Sequence, residues 1–213
     1  MTRSIVDVPG KIPAVVGWPA RQVRARFDDQ AITLYQAFRP DIADAAIQAG
    51  TFVAPFGMGR MTWVKPSFRW MMYRSGWATK PGQERVLAVH MTRAVFEEVL
   101  AEACLSSYDD RVYRDRDEWV ERKRATRVRV QWDPERDMDS APLSWRTIQI
   151  GMAGPVVRRY VGEWIEAITD VTPLAHQAAQ LVAAGDRERA LALLPTEVPY
   201  PLPASTAALI GAE

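Results

Sequence analysis

Hydrophobic and polar positions alternate at strand or helix spacing along most of the chain, starting near residue 21. In VRARFDDQAITLYQAF, two short alternating runs flank a polar turn at residues 28–29 and predict strands near 23–27 and 31–37. The second run sets Ile32, Leu34 and Gln36 against Thr33, Tyr35 and Ala37, so one face ends on a polar group, Gln36. PDIADAAIQAG predicts a helix opened by Pro40 and closed by Gly50, with a narrow stripe of Ile42, Ala45, Ala46 and Ala49. TFVAPF reads as a short strand near 52–55, and Gly57 and Gly59 bracket a turn.

Pro66 marks the start of a helix over KPSFRWMMYRSGW that ends at Gly76. Helical spacing groups Phe68, Met71, Met72 and Ser75 on a core face, and Trp70, Tyr73, Arg74 and Trp77 on a second face. ERVLAVHMT is apolar on both sides and predicts a central strand near 85–91. Thr92 then caps a helix over RAVFEEVLAEACL, which includes Cys104. The charged run at residues 111–125 predicts a solvated helix pinned by Trp119. Two more strands follow near 127–132 and 144–150, separated by the polar loop ERDMDSAP, with Asp133-Pro134 ending the first. PVVRRYVGEWIEAI, PLAHQAAQLVAAG and DRERALALLP are amphipathic and predict helices.

The pattern therefore predicts one α+β domain over residues 21–195. It has a mixed or mostly antiparallel sheet, flanking helices and a C-terminal helical layer. Residues 1–20, broken by Pro9, Gly10, Pro13 and Pro19 among others, read as an extended lead-in held to the body by Trp18. Residues 196–213 read as a proline-rich tail wrapping the surface.

Composition narrows the function classes. Basic residues number 27 and acidic residues 26, so bulk charge does not mark a polyanion binder, although a local basic groove is compatible with this balance. One cysteine excludes an intrachain disulfide and points to a reducing cytoplasm. Two histidines without paired spacing leave no metal site to expect. No apolar window of membrane-spanning length occurs, so no membrane partner is expected, and the apolar run in MTRSIVDVPGKIP is too short for a signal peptide. Hydrolase-elbow, phosphate-loop and paired-histidine motifs are absent.

Residues 60–83 supply the candidate chemistry. This stretch holds Trp63, Trp70, Trp77 and Tyr73 among Arg60, Lys65, Arg69, Arg74 and Lys80, and it contains no acid. Guanidinium groups bind phosphate oxygens through paired hydrogen bonds, and aromatic rings stack on bases. Arg60, Lys65, Ser67, Trp70, Tyr73, Arg74 and Trp77 are thus the candidate ligand-binding residues. Asp133 and Glu135 are the candidate carboxylates opposite them: i, i+2 spacing on a strand end would aim both the same way, whereas a turn at Pro134 would not.

With YQAF, RMTWVKPSFRWMMYRSGW, VRVQWDPER and IQIG in view, the chain resembles the domain-of-unknown-function family 4291 over about residues 21–200. That family brings no established chemistry. At the level of layout, ITLYQAFRPDIADAAIQAG also resembles the ADP-ribosyltransferase fold. That resemblance implies NAD as cofactor, with Gln36 where many members carry histidine. Ser67, Tyr73 or Ser75 would stand on the second element. Glu135 or Gln149 would stand near the catalytic glutamate, although Gln149 is no carboxylate and Glu135 falls in the expected loop. Three readings follow: an ADP-ribosyltransferase-like enzyme using NAD on a nucleotide or nucleic acid, a non-catalytic nucleotide or single-stranded nucleic-acid binder, and a protein-interaction scaffold. Oligomeric state is not legible.

Overall fold

The computed structural model describes residues 18–213, so the expected lead-in lies outside it up to residue 17. In chain order the elements are β1 (Arg24–Phe27), β2 (Ala31–Phe38), α1 (Pro40–Ala49), β3 (Thr62–Val64), α2 (Phe68–Ser75) and β4 (Arg85–Thr92). They continue with α3 (Arg93–Ala101), β5 (Cys104–Leu105), α4 (Arg116–Ala125), β6 (Val128–Arg136) and β7 (Pro142–Met152). The chain ends with α5 (Pro155–Arg159), β8 (Ala167–Asp170), α6 (Thr172–Ala183), α7 (Arg187–Leu193), β9 (Val198–Pro199) and α8 (Ala204–Ile210).

Two mostly antiparallel sheets make this a single α+β domain. The first has the order β8-β4-β2-β1-β9 and the second β3-β7-β6-β5, in which β5 is the parallel neighbour of β6. The β1–β2 turn forms where its residues predict it, with Asp28 Oδ1 accepting from the backbone N–H of Gln30 and Ala31, each at 2.8 Å. β2 and β4 pair along their whole lengths, from Ala31 opposite Thr92 to Phe38 opposite Arg85. Where β3 ends, Lys65 and Tyr35 exchange backbone hydrogen bonds of 2.7 and 3.1 Å, which join the two sheets.

Alternation assigns the faces. Ile32, Leu34, Leu87, Val89 and Met91 join Val130, Trp132, Ile148 and Ile150 in the main core between the sheets. The opposite face of the first sheet carries Tyr35, Val86 and Ala88, which pack with Phe68, Met71 and Met72 of α2 and Ala175 of α6 in a second core. The double-sided burial of β4 explains its continuous apolar run. Cap chemistry is local and follows the sequence: Thr92, Asp115 and Asp186 each accept a backbone N–H from the first turn of the helix that follows.

Several expectations need correction. Residues 52–55 form no strand, with a turn at 54–55, and the strand in this region is β3 instead, within a stretch that read as loop and helix lead-in. Three residues are too few to show a period, and β3 exists only because Trp63 finds Gly151 on β7. Cys104 leaves the helix and pairs with Arg129 as β5, tertiary pairing overriding helical spacing. β6 runs on through Arg136, so Asp133 and Glu135 both belong to a strand, not to a loop. The run after Pro155 is helical only to Arg159. A π-type turn through Tyr160–Trp164 follows it, and then β8.

The last residues are integrated rather than draped. β9 pairs with β1, and α8 buries Thr206 and Ile210. The Trp132 indole N–H donates to the Ile210 carbonyl at 2.7 Å. Trp18 packs against Trp145 at 4.7 Å between ring centroids and lies under the Arg24 guanidinium at 3.7 Å. Among the described residues no helix is long and apolar enough to cross a membrane.

Gly151 permits the close approach of β3 to β7. A Cβ there would lie 2.7 Å from Met61 Sδ and 2.9 Å from the Trp63 ring. Gly151→Ala is therefore expected to destabilise the fold by about 1–3 kcal/mol. Urea unfolding checks this: the midpoint falls with an unchanged slope, and an unchanged midpoint rules the contact out as a constraint.

Candidate functional site

Tying Lys65 to Tyr35 brings the end of β2, β3, the start of α2 and the polar face of the β6–β7 hairpin around one cavity of about 790 Å³. Its aromatic walls are Phe38, Phe56, Trp63 and Trp70, and its cations are Arg39, Arg60, Lys65 and Arg74. Gln36, Thr62, Gln131 and Gln149 contribute neutral polar groups, and no carboxylate is among the lining residues. The volume suits a small-molecule ligand.

Gln36 is only 2% exposed and its amide is fully engaged. Nε2 donates to Thr62 Oγ1 at 2.8 Å and to the Trp63 carbonyl at 3.1 Å, while Oε1 accepts from the Tyr160 hydroxyl at 2.7 Å. Burial pushes the Tyr160 phenol far above its ordinary range, so the hydroxyl stays a donor. The network fixes the amide and holds β3 against the end of β2. Gln36 is thereby a positioning group at the cavity floor.

Lys65 is buried, with one hydrogen bond from Nζ to the Trp63 carbonyl at 3.4 Å. Its ammonium lies 5.2 Å from the Trp70 ring centroid. Burial, aided by the nearby Arg74 charge, pulls its pKa down to about 8, and Asp133 partly opposes the shift. The Trp70 indole N–H is buried without an acceptor, and it belongs to a cavity wall. Arg60 and Arg74 are exposed at the rim, and Arg39 pairs with Asp41 at 2.6 Å.

Asp133 does not line the cavity but meets two residues that do. Its Oδ1 accepts from Gln131 Nε2 at 2.9 Å and its Oδ2 from Gln149 Nε2 at 2.7 Å. The two glutamines are directly opposite across the β6–β7 ladder. Gln149, named above only through its resemblance, is thus brought to the cavity beside Gln131.

Glu135 is separated from this group by a β-bulge between Pro134 and Arg136, which aims it elsewhere. It is 3% exposed, and its Oε1 accepts the Arg136 N–H at 2.8 Å. Its neighbours are Ser67, Arg69 and Glu197, whose carboxyl accepts the Phe68 N–H at 2.6 Å. Burial first, then mutual repulsion, raises the Glu197 pKa, and burial raises that of Glu135. Ser67 caps α2, accepting from the Trp70 N–H at 3.1 Å, and is not a cavity residue. Tyr73 lies under the Arg136 guanidinium at 3.8 Å, and Trp77 packs on the second core. Lys65, Trp70, Arg60 and Arg74 are therefore brought together, whereas Ser67, Glu135, Tyr73 and Trp77 fall outside the cavity lining.

Sequence reading passed over Thr62, Gln131, Tyr160 and Glu197. Gln131 carried a signal, since a strand with one apolar face offered Gln131 and Asp133 on the other. Glu197 carried none, because only the return of the chain to β1 places it beneath α2.

The Glu135–Glu197 acid pair makes stability depend on pH. A carboxyl whose folded pKa lies above its unfolded value stabilises the fold most at low pH, and that contribution is lost as pH rises above the ordinary carboxylate range. Glu197→Gln should therefore lose less stability between pH 5 and pH 8 than the native chain, as measured by urea unfolding at both values. Equal losses would remove Glu197 from this role.

No curated protein and no solved structure matches the chain. A family model described as a domain of unknown function, DUF4291, matches residues 22–200, which span the cavity, both sheets and the Glu135–Glu197 acid pair. The chain belongs to this family, DUF4291.

Proposed function

We propose that the chain binds a nucleotide in the cavity beside Lys65. The observation that carries this reading is the lining itself: four cations and four aromatic rings, with no carboxylate among them. Cations neutralise phosphates, and aromatic walls hold a base by stacking, each stacked base being worth roughly 1–3 kcal/mol. NAD fits this set of groups, since it presents two phosphates and two flat rings. Arg60, Arg74 and Lys65 would face its phosphates, and Trp63 and Trp70 its rings. The buried lone thiol of Cys104 agrees with a reducing cytoplasm as the compartment.

Binding without group transfer is favoured by the placement of the acids. An ADP-ribosyltransferase-like step needs a carboxylate to stabilise an oxocarbenium ion, but Glu135 is turned toward Ser67 and Arg69, and Asp133 is engaged by two glutamines. The protein-interaction reading loses its support, because Trp70 is buried and Trp77 packs on the second core.

Calorimetric titration with AMP, ADP and NAD tests the reading. Arg74→Ala and Arg60→Ala should each weaken binding about tenfold, in line with the strength of hydrogen bonds to charged groups. Absence of binding by all three at millimolar concentration overturns the proposal. Nicotinamide release from NAD separates transfer from binding, and none is expected. Binding should also weaken as pH rises through about 8, where Lys65 loses its charge, and Lys65→Met should flatten this profile. A pH-independent affinity in the native chain removes Lys65 from the phosphate site.

A further inference from the structure

An ionised carboxylate can only accept hydrogen bonds, so any amide meeting it must present its NH2 group. Asp133 meets two amides, one on each oxygen: Gln131 Nε2 at 2.9 Å and Gln149 Nε2 at 2.7 Å. Turning either amide over would set its carbonyl oxygen against a carboxylate oxygen, which is repulsive. Orientation of both side chains is thus fixed by chemistry rather than by choice of fit. Among the described residues no hydrogen-bond donor meets the carbonyl oxygen of Gln131 or of Gln149, and both residues line the cavity. These two residues are opposite each other across the β6–β7 ladder, so the two acceptors belong to one wall. Lys65, within electrostatic reach of Asp133, supplies a donor at the same cavity.

We infer that Asp133 sets the base preference of the cavity, holding the carbonyl oxygens of Gln131 and Gln149 toward the ligand so that the site selects a nucleotide whose ring carries an exocyclic amino group. This deepens the nucleotide reading and rests on it. Adenine and cytosine pair an amino donor with a neighbouring ring-nitrogen acceptor, which answers two carbonyl oxygens and one ammonium. Hypoxanthine and uracil replace that amino group by a keto oxygen, which would face the glutamine oxygens unpaired. Sites that hydrogen-bond a ligand donor discriminate strongly against the analogue lacking it, because their buried acceptors are then stranded. Asp133 acts here through the two glutamines and is a positioning residue.

The experiment compares the affinities of AMP with IMP and of CMP with UMP on the full chain, by calorimetric titration. The native protein should prefer the amino-bearing member of each pair by about tenfold or more. Asp133→Asn can present its own NH2 to a glutamine carbonyl, so it frees the amides to turn over, and the preference should shrink severalfold while affinity for IMP holds or improves. Gln149→Leu should weaken AMP more than IMP. Urea midpoints of both variants confirm that they remain folded. Equal affinity for AMP and IMP in the native chain overturns the inference and leaves nucleotide binding standing. A preference that survives Asp133→Asn in a folded variant overturns the positioning role. Failure of all four nucleotides to bind overturns this inference, and the nucleotide reading falls with it only where ADP and NAD also fail to bind.

Discussion

Two backbone hydrogen bonds between Tyr35 and Lys65, at 2.7 and 3.1 Å, are the constraint on which the site depends. They join a five-stranded and a four-stranded sheet that also meet through packed side chains, the Gln36 amide and the Arg21–Arg146 bridge. Tyr35 is anchored in the second core with Phe68, Met71 and Met72, so the backbone it offers to Lys65 is rigid. With its backbone held there, Lys65 has its side chain in the cavity, buried and nearly unpartnered. The Gln36 amide reinforces the junction by bonding Thr62 and Trp63 on one side and Tyr160 on the other. A buried network that is fully satisfied fixes one arrangement, and this one fixes where β3 sits.

The junction also separates charge. Around the cavity stand Arg39, Arg60, Lys65 and Arg74; Asp41 pairs with Arg39 outside the lining, and Asp133 is spent on two glutamines. Glu135 and Glu197 lie by the first residues of α2, near Arg24 and Arg69. The β-bulge after Pro134 makes this possible, because it breaks the alternation that would have aimed Asp133 and Glu135 together. Lys65 and Glu197 then show opposite effects of one cause: burial disfavours the charged form, lowering the lysine and raising the glutamate.

Much of the fold was legible because its elements are periodic. β2, β4 and α1 follow their hydrophobic spacing, α1 closing on Gly50, and α3 starts on its Thr92 cap and follows its spacing as far as Ala101. β3, β5, β8 and β9 were missed, and all four are short strands of two to four residues at sheet edges. Such strands carry no period of their own and form only when a partner is already present. Of the candidate cluster, the cationic and aromatic character of residues 60–74 was legible from composition, and the cavity takes Arg60, Lys65, Trp70 and Arg74 from it. Which of its neighbours turned away was not, since Ser67 is consumed by a cap and Trp77 by the second core.

The sequence alone determined the α+β class, the central place of β4 and the existence of an acid-free aromatic segment, because each is a property of neighbours along the chain. Only the tertiary structure decided that Gln131, Asp133 and Gln149 act as one group and that Glu197 joins Glu135. It likewise decided that Tyr160 closes the hydrogen bonding of Gln36 from 124 residues away. These pairings depend on strand register, a bulge and the return of the chain terminus. Register is set by side chains meeting across strands, so a single strand's sequence does not contain it.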